Sequence, residues 1–118
     1  MPEHSLANLA GAAEDLSLLR DAAREAGRIA MRYFGRNPQV WMKGGTSPVS
    51  EADHAADAYL RTTLLAARPD YGWLSEETAD NAARLTARRT FVVDPIDGTR
   101  GFLDGLHSWC VSVAVVED

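Results

Sequence analysis

A single cysteine in 118 residues, Cys110, leaves no internal disulfide to form, so a reducing, cytoplasmic setting is expected. Histidine is almost as scarce. His4, His54 and His107 show no mutual ligand spacing, which sets a zinc site aside. Positive charge is in deficit, with 12 Lys and Arg against 17 Asp and Glu, a net charge of −5. That balance argues against a nucleic-acid polymer or an anionic membrane as partner. A protein so charged that handles phosphates needs bound cations to attract them. No apolar run approaches a membrane span. The opening MPEHSLANLAGAAEDL has no basic stretch followed by an apolar core, so no secretory leader is expected. Repeats, linkers and low-complexity blocks are missing too. What is present is 46% hydrophobic and 25% charged, enough for one globular domain with a core.

Leu16, Leu19, Ala23, Ala26, Ala30 and Tyr33 recur at steps of three and four, predicting a helix over residues 6–34 with one apolar stripe. Gly35 and Pro38 stop it. Residues 40–48, VWMKGGTSP, read as an extended piece ending in a glycine-rich loop that carries Lys43. In VSEADHAADAYLRTTLLAARPD, Ser50 is a natural N-cap and Asp53 stands at the capping-box position. Ala56, Leu60, Thr63/Leu64 and Ala67 would form the buried side of this second helix, which Pro69 ends. YGWL and FVVD are buried-strand candidates, and residues 78–89 a loop or short helix. In residues 109–117 Trp109, Val111, Val113 and Val115 alternate with Cys110, Ser112 and Ala114, as in a sheet strand. Cys110 reads there as a small buried hydrophobe, and the three tryptophans as core or strand-end packing. The fold class expected is α+β, helices stacked on a sheet. The chain stops straight off a strand, which suggests part of a domain.

Two strand ends carry acids. YGWL delivers Glu76 and Glu77, while FVV delivers Asp94, with Asp97 next in DPIDGT. If the strands are neighbours, these carboxylates converge and repel one another, raising their pKa values. Divalent cations would relieve that, and Mg²⁺ suits an all-oxygen set. Pro95 is expected to turn the chain sharply after Asp94 and aim the Ile96 carbonyl. Gly98-Thr99 would open a helical turn whose free N–H groups face an anion. The bland alternatives stay open at this point: D-P-x-D-G is also a good loop, Glu76-Glu77 a solvated pair, Asp53 only a cap and Lys43 a surface lysine.

Lys43 in its Gly-rich loop, SPVSEAD, WLSEE and VVDPIDGTRGF, in that order, resemble the motifs of the Mg²⁺-dependent, lithium-sensitive inositol monophosphatase superfamily. The resemblance implies the N-terminal half of the sugar-phosphatase fold, two long helices packed on a mostly antiparallel sheet. It also implies hydrolysis of a small phosphate monoester by metal-activated water, with two or three Mg²⁺ ions. By resemblance, Glu76, Asp94 and the Ile96 carbonyl would ligate the first ion, Asp94 and Asp97 the second, and Glu77 would stand beside a third. Asp53 and Thr99 would orient or deprotonate the attacking water, with Glu76 also in the catalytic set. Gly98, Thr99 and Lys43 would meet the phosphate.

Two departures qualify this. The family domain is about twice as long, so residues 1–118 would be its metal-binding N-terminal part, without the C-terminal half and inactive or nearly so alone. The signature also continues as Thr-Arg-Gly-Phe, where inositol monophosphatases usually carry an asparagine two positions after the threonine. Arg100 looks more like bacterial 3'(2'),5'-bisphosphate nucleotidases, and would meet an extra phosphate. The expected partner is a small phosphorylated metabolite, a nucleoside bisphosphate or an inositol phosphate, and a homodimer is compatible with the sequence. Alternatives are an inositol-1-phosphate phosphatase with the same chemistry, or a non-catalytic dimerisation or regulatory module.

Overall fold

The computed structural model describes residues 6–45 and 47–118. His4 and the first residues of the start expected to carry no leader lie outside them. The elements run α1 (Leu6–Met31), β1 (Val40–Lys43), β2 (Ser47–Ser50), α2 (Glu51–Ala67), β3 (Gly72–Ser75), β4 (Arg89–Asp97), α3 (Thr99–Leu103) and β5 (Cys110–Glu117). A 3₁₀ turn, Ala82–Thr86, links β3 to β4. No helix among the described residues is long and apolar enough to cross a membrane.

The class is α+β, as expected. β3, β4 and β5 form one sheet in that order, β3–β4 parallel and β4–β5 antiparallel. β1 and β2 form a separate antiparallel hairpin, turned through Gly44 and Gly45, both at positive φ. The second strand of this hairpin is an addition to the sequence reading, because Pro48 and the cap at Ser50 mask it. Pro48 pairs with Met42, a tolerable place for a missing N–H in a two-stranded ribbon.

Both helices cover one face of the sheet. Leu19, Ala22 and Ala26 of α1 and Ala56, Leu60 and Leu64 of α2 pack on Trp73, Phe91 and Val93, with Val111, Val113 and Val115 at the margin. Burying large side chains such as Phe91, Leu60 and Leu64 contributes roughly 1.5–3 kcal/mol each. The alanines let the two helices approach closely. The β5 alternation holds, with odd-numbered valines toward the helices.

Three expectations about faces are corrected. Leu16 is 48% exposed, whereas Asp15 beside it is buried. The reason is non-local: Asp15 accepts hydrogen bonds from Arg68 Nε at 2.9 Å and Tyr71 Oη at 2.7 Å. Ala67 is exposed, at the C-terminal end of α2. Cys110 is exposed, because it lies on the sheet face that no helix covers. Of the tryptophans, Trp73 is in the core while Trp41 is exposed.

A smaller second core, Ala30, Ala52, Ile96 and Phe102, lies where β4 ends. Phe102 meets Trp109 edge-on at 4.9 Å and Phe34 at 5.5 Å. It fixes α3 and the end of β4 against α1 and α2, and so holds the DPIDGT segment in place.

Candidate active site

DPIDGT does not turn sharply after Asp94. β4 continues to Asp97, and its register with β5 slips between Asp94, opposite Ser112, and Asp97, opposite Cys110. Three steps on β4 meet two on β5, a bulge. Pro95, which has no N–H to lose, sits inside it. Strand pairing tolerates the proline there, which is why no turn is needed.

The chain turns at Gly98 instead. Its φ is +92°, and a Cβ there would lie 2.7 Å from the Ser108 carbonyl oxygen, so only glycine fits. α3 starts immediately after it, as expected, with Gly98 as its N-cap.

Asp53 is fully buried at the start of α2. The capping box is formed: Asp53 Oδ2 accepts from the Ser50 N–H at 2.8 Å and the Ser50 hydroxyl at 2.7 Å. Its other oxygen accepts from Thr99 Oγ1 at 2.8 Å. Thr99 Oγ1 also lies 3.2 Å from the Ile96 carbonyl. The cap and the threonine contact expected of Asp53 thus coexist, one on each carboxylate oxygen.

Glu76 comes directly after β3, and its N–H donates to the Val93 carbonyl at 3.1 Å, extending the parallel ladder by one bond. Glu76 and Asp94 are thereby brought to the same end of the sheet. Lys43 reaches across from the hairpin. Its Nζ donates to the Glu76 carbonyl at 2.6 Å, and lies 3.4 Å from Glu77 Oε1 and 3.8 Å from Glu76 Oε2. The Glu77 side chain is 7% exposed, so it is no solvated surface acid. Burial pushes its pKa up, against the pull of Lys43.

Lys43, Glu76, Glu77, Asp94, Ile96, Gly98, Thr99 and Arg100 line one open pocket of about 220 Å³. Every predicted site residue except Asp53 and Asp97 is on its wall. Asp53 stands behind Thr99, and Asp97 is exposed beside it. Two other pockets, of about 300 and 370 Å³, lie over the uncovered sheet face and beside β3, and contain none of these residues.

The electrostatics single out Asp94. Burial, then the charges of Asp97, Glu76, Glu77 and Asp53, push its pKa up to about 6. Among the described residues, no three His, Cys, Asp or Glu side chains stand close enough to ligate one ion. The Lys43 ammonium stands beside Glu76 and Glu77 as a cation. The donor chemistry nevertheless fits a hard divalent cation: carboxylates and a carbonyl only, on one wall, with a carboxyl whose surroundings disfavour its charge.

Sequence reasoning passes over Asp57, Ser75 and Thr78. Asp57 is buried on α2, four residues after Asp53 and thus on the same face. That spacing, together with hydroxyls flanking Glu76-Glu77, is the available signal.

Residues 12–118 match the model of the inositol monophosphatase family. An inositol-1-monophosphatase of Rhizobium meliloti is 40% identical over 102 residues, covering 85% of this chain and 38% of that protein. A histidinol-phosphatase of Chlorobaculum parvum is 37% identical, covering 86% and 39%. The solved structure of the extragenic suppressor protein suhB from Bartonella henselae superposes with a TM-score of 0.81 at 36% identity, covering 88% of this chain and 41% of that one. The chain thus spans about two fifths of the length of the relatives it matches. Its motifs, its fold and its match from residue 12 to residue 118 agree: the chain belongs to the inositol monophosphatase family.

Proposed function

We propose that these residues form the acidic part of the active site of a Mg²⁺-dependent phosphomonoesterase, with residues 1–118 as the N-terminal portion of the domain. The observation that carries the reading is the gathering of Glu76, Glu77, Asp94, Ile96 and Thr99 on one pocket wall, with Asp94 half-buried there and its pKa raised by burial and by the neighbouring carboxylates. Glu76, Glu77, Asp94, Asp97 and the Ile96 carbonyl would hold two or three ions. When bound, these supply the positive charge that neutralises a phosphate ester and activates water.

The chain's own residues do the rest. Thr99 donates its hydroxyl hydrogen bond to Asp53, which leaves the Thr99 oxygen to accept a hydrogen bond from a water in the pocket. Asp53 is the carboxylate at the end of that chain, placed to draw proton charge away from the water. Lys43 adds positive charge at the pocket mouth. Calorimetry of the chain with Mn²⁺, with and without phosphate, tests the reading. Metal binding that creates a phosphate site is expected, alongside little or no turnover by the chain alone. A stable dimer indifferent to metal and phosphate would favour the non-catalytic module and sink the enzyme.

Two of the relatives act, by their names, on an inositol monophosphate and on histidinol phosphate, so the family leaves the substrate open. The nucleoside bisphosphate reading has one observation in its favour, that Arg100 lines the pocket. In a chimera completed by the remainder of the Rhizobium meliloti relative, Arg100→Ala should then lower turnover of a nucleoside 3',5'-bisphosphate about tenfold or more. Inositol 1-phosphate should stay within about twofold. Equal effects on both overturn the nucleotidase branch.

A further inference from the structure

The β3–β4 ladder ends at the Glu76 N–H, so strand pairing does not position Glu77 or Thr78. Side chains from α2 do. Asp57 is 7% exposed and accepts hydrogen bonds from the hydroxyls of both Ser75 and Thr78. The Ser75 oxygen in turn accepts from the Glu77 N–H at 3.1 Å. The two hydroxyls bracket Glu76 and Glu77, one immediately before the pair and one immediately after.

We propose that Asp57 is a positioning residue, a clamp that fixes the Glu76-Glu77 segment on the body of α2 and so sets the two carboxylates toward the pocket. α2 thereby organises both walls. Asp53 holds Thr99 from one side, and Asp57, one helical turn on, holds the glutamates from the other. A carboxylate suits the task because it accepts from two hydroxyls at once. Asparagine keeps one acceptor and offers an N–H₂ to the other hydroxyl, so it should largely substitute. Alanine leaves one buried and one half-buried hydroxyl without that acceptor and frees the segment.

The link to ion binding rests on the metal reading proposed above, whereas the clamp itself rests on these hydrogen bonds. The experiment measures both on the 118-residue chain: Mn²⁺ affinity by calorimetry and amide hydrogen exchange at residues 76–78. Asp57→Ala should weaken Mn²⁺ at least tenfold and speed exchange at Glu77 at least tenfold, with exchange in the middle of α1 unchanged. Asp57→Asn should stay within about threefold on both. The Ser75→Ala/Thr78→Val double variant should reproduce Asp57→Ala, and it decides the matter alone if Asp57→Ala does not fold. A merely structural Asp57 would lower the melting temperature while the folded protein kept its Mn²⁺ affinity, and that result overturns the proposal. Wild-type chain that binds no Mn²⁺ sinks the metal reading instead. Unchanged exchange at Glu77 in the double variant sinks the clamp whatever the metal does.

Discussion

Asp94→Asn should abolish the cation-dependent phosphate release proposed for the completed chimera, and in the absence of cations it should make the chain more stable at neutral pH. The stability gain is a matter of sign. A carboxyl at about 6 in the folded protein, against roughly 3.9 unfolded, binds more protons folded than unfolded between those values. Stability therefore rises as pH falls from above 6 toward 4. The penalty is fully present above the folded value and gone below the unfolded one. Glu77, also raised by burial, contributes with the same sign. Asparagine carries no charge to oppose, so the variant should melt a few degrees higher at pH 7.5 in chelator and converge with wild type near pH 4. Added Mn²⁺ should then stabilise the wild type alone, by mass action. Thermal melts across pH, with and without Mn²⁺, give all of this in one series. Wild-type turnover in the variant would refute the ligand assignment.

Asp53→Asn should cost both stability and turnover, because each carboxylate oxygen has a separate duty. One oxygen caps α2 through Ser50 and the other holds Thr99. Facing Ser50, the new N–H₂ leaves a buried N–H without an acceptor; facing Thr99, it occupies that oxygen and turns the hydroxyl to the Ile96 carbonyl, and in both orientations the N-terminus of α2 loses a negative charge. A loss of roughly 1–3 kcal/mol is expected, a fall in melting temperature of roughly 5 °C or more. Turnover of the chimera should drop at least about a hundredfold, the usual weight of a proton-handling group. Thr99→Val separates the two duties. It should lose comparable turnover while sparing the cap, so its melting temperature should fall less. If both variants lose stability equally and neither loses turnover, Asp53 is a cap and nothing more.

The parts of this molecule legible in sequence are those set by neighbours along the chain. The Ser50-Asp53 box, the helix start after Gly98 and the β5 alternation each need only a few adjacent residues to specify them. The gathering of Lys43, Glu76, Glu77, Asp94 and Thr99 is legible too, through ordered motifs rather than through physics alone. What escapes depends on distant partners. Asp15 is buried, and Leu16 is not, because Arg68 and Tyr71 lie more than fifty residues away. Asp57 goes unread, since its two hydroxyl partners sit beyond Pro69. The short β2 is hidden by a proline and a cap that both carry other meanings. Cys110 faces outward because a strand's alternation gives two faces without saying which one is covered.

The bulge around Pro95 makes DPID a counted length as well as a set of residues. In a regular strand Ile96 would share a face with Asp94, and Asp97 would share one with Phe91 and Val93. The extra residue reverses the parity, so that Ile96 enters the core with Phe102 while Asp97 remains outside. Substitutions here alter one side chain at a time. Gaining or losing a single residue between Asp94 and Asp97 would instead exchange inside for outside at every position up to Gly98. The segment is thus constrained in spacing as well as in letters.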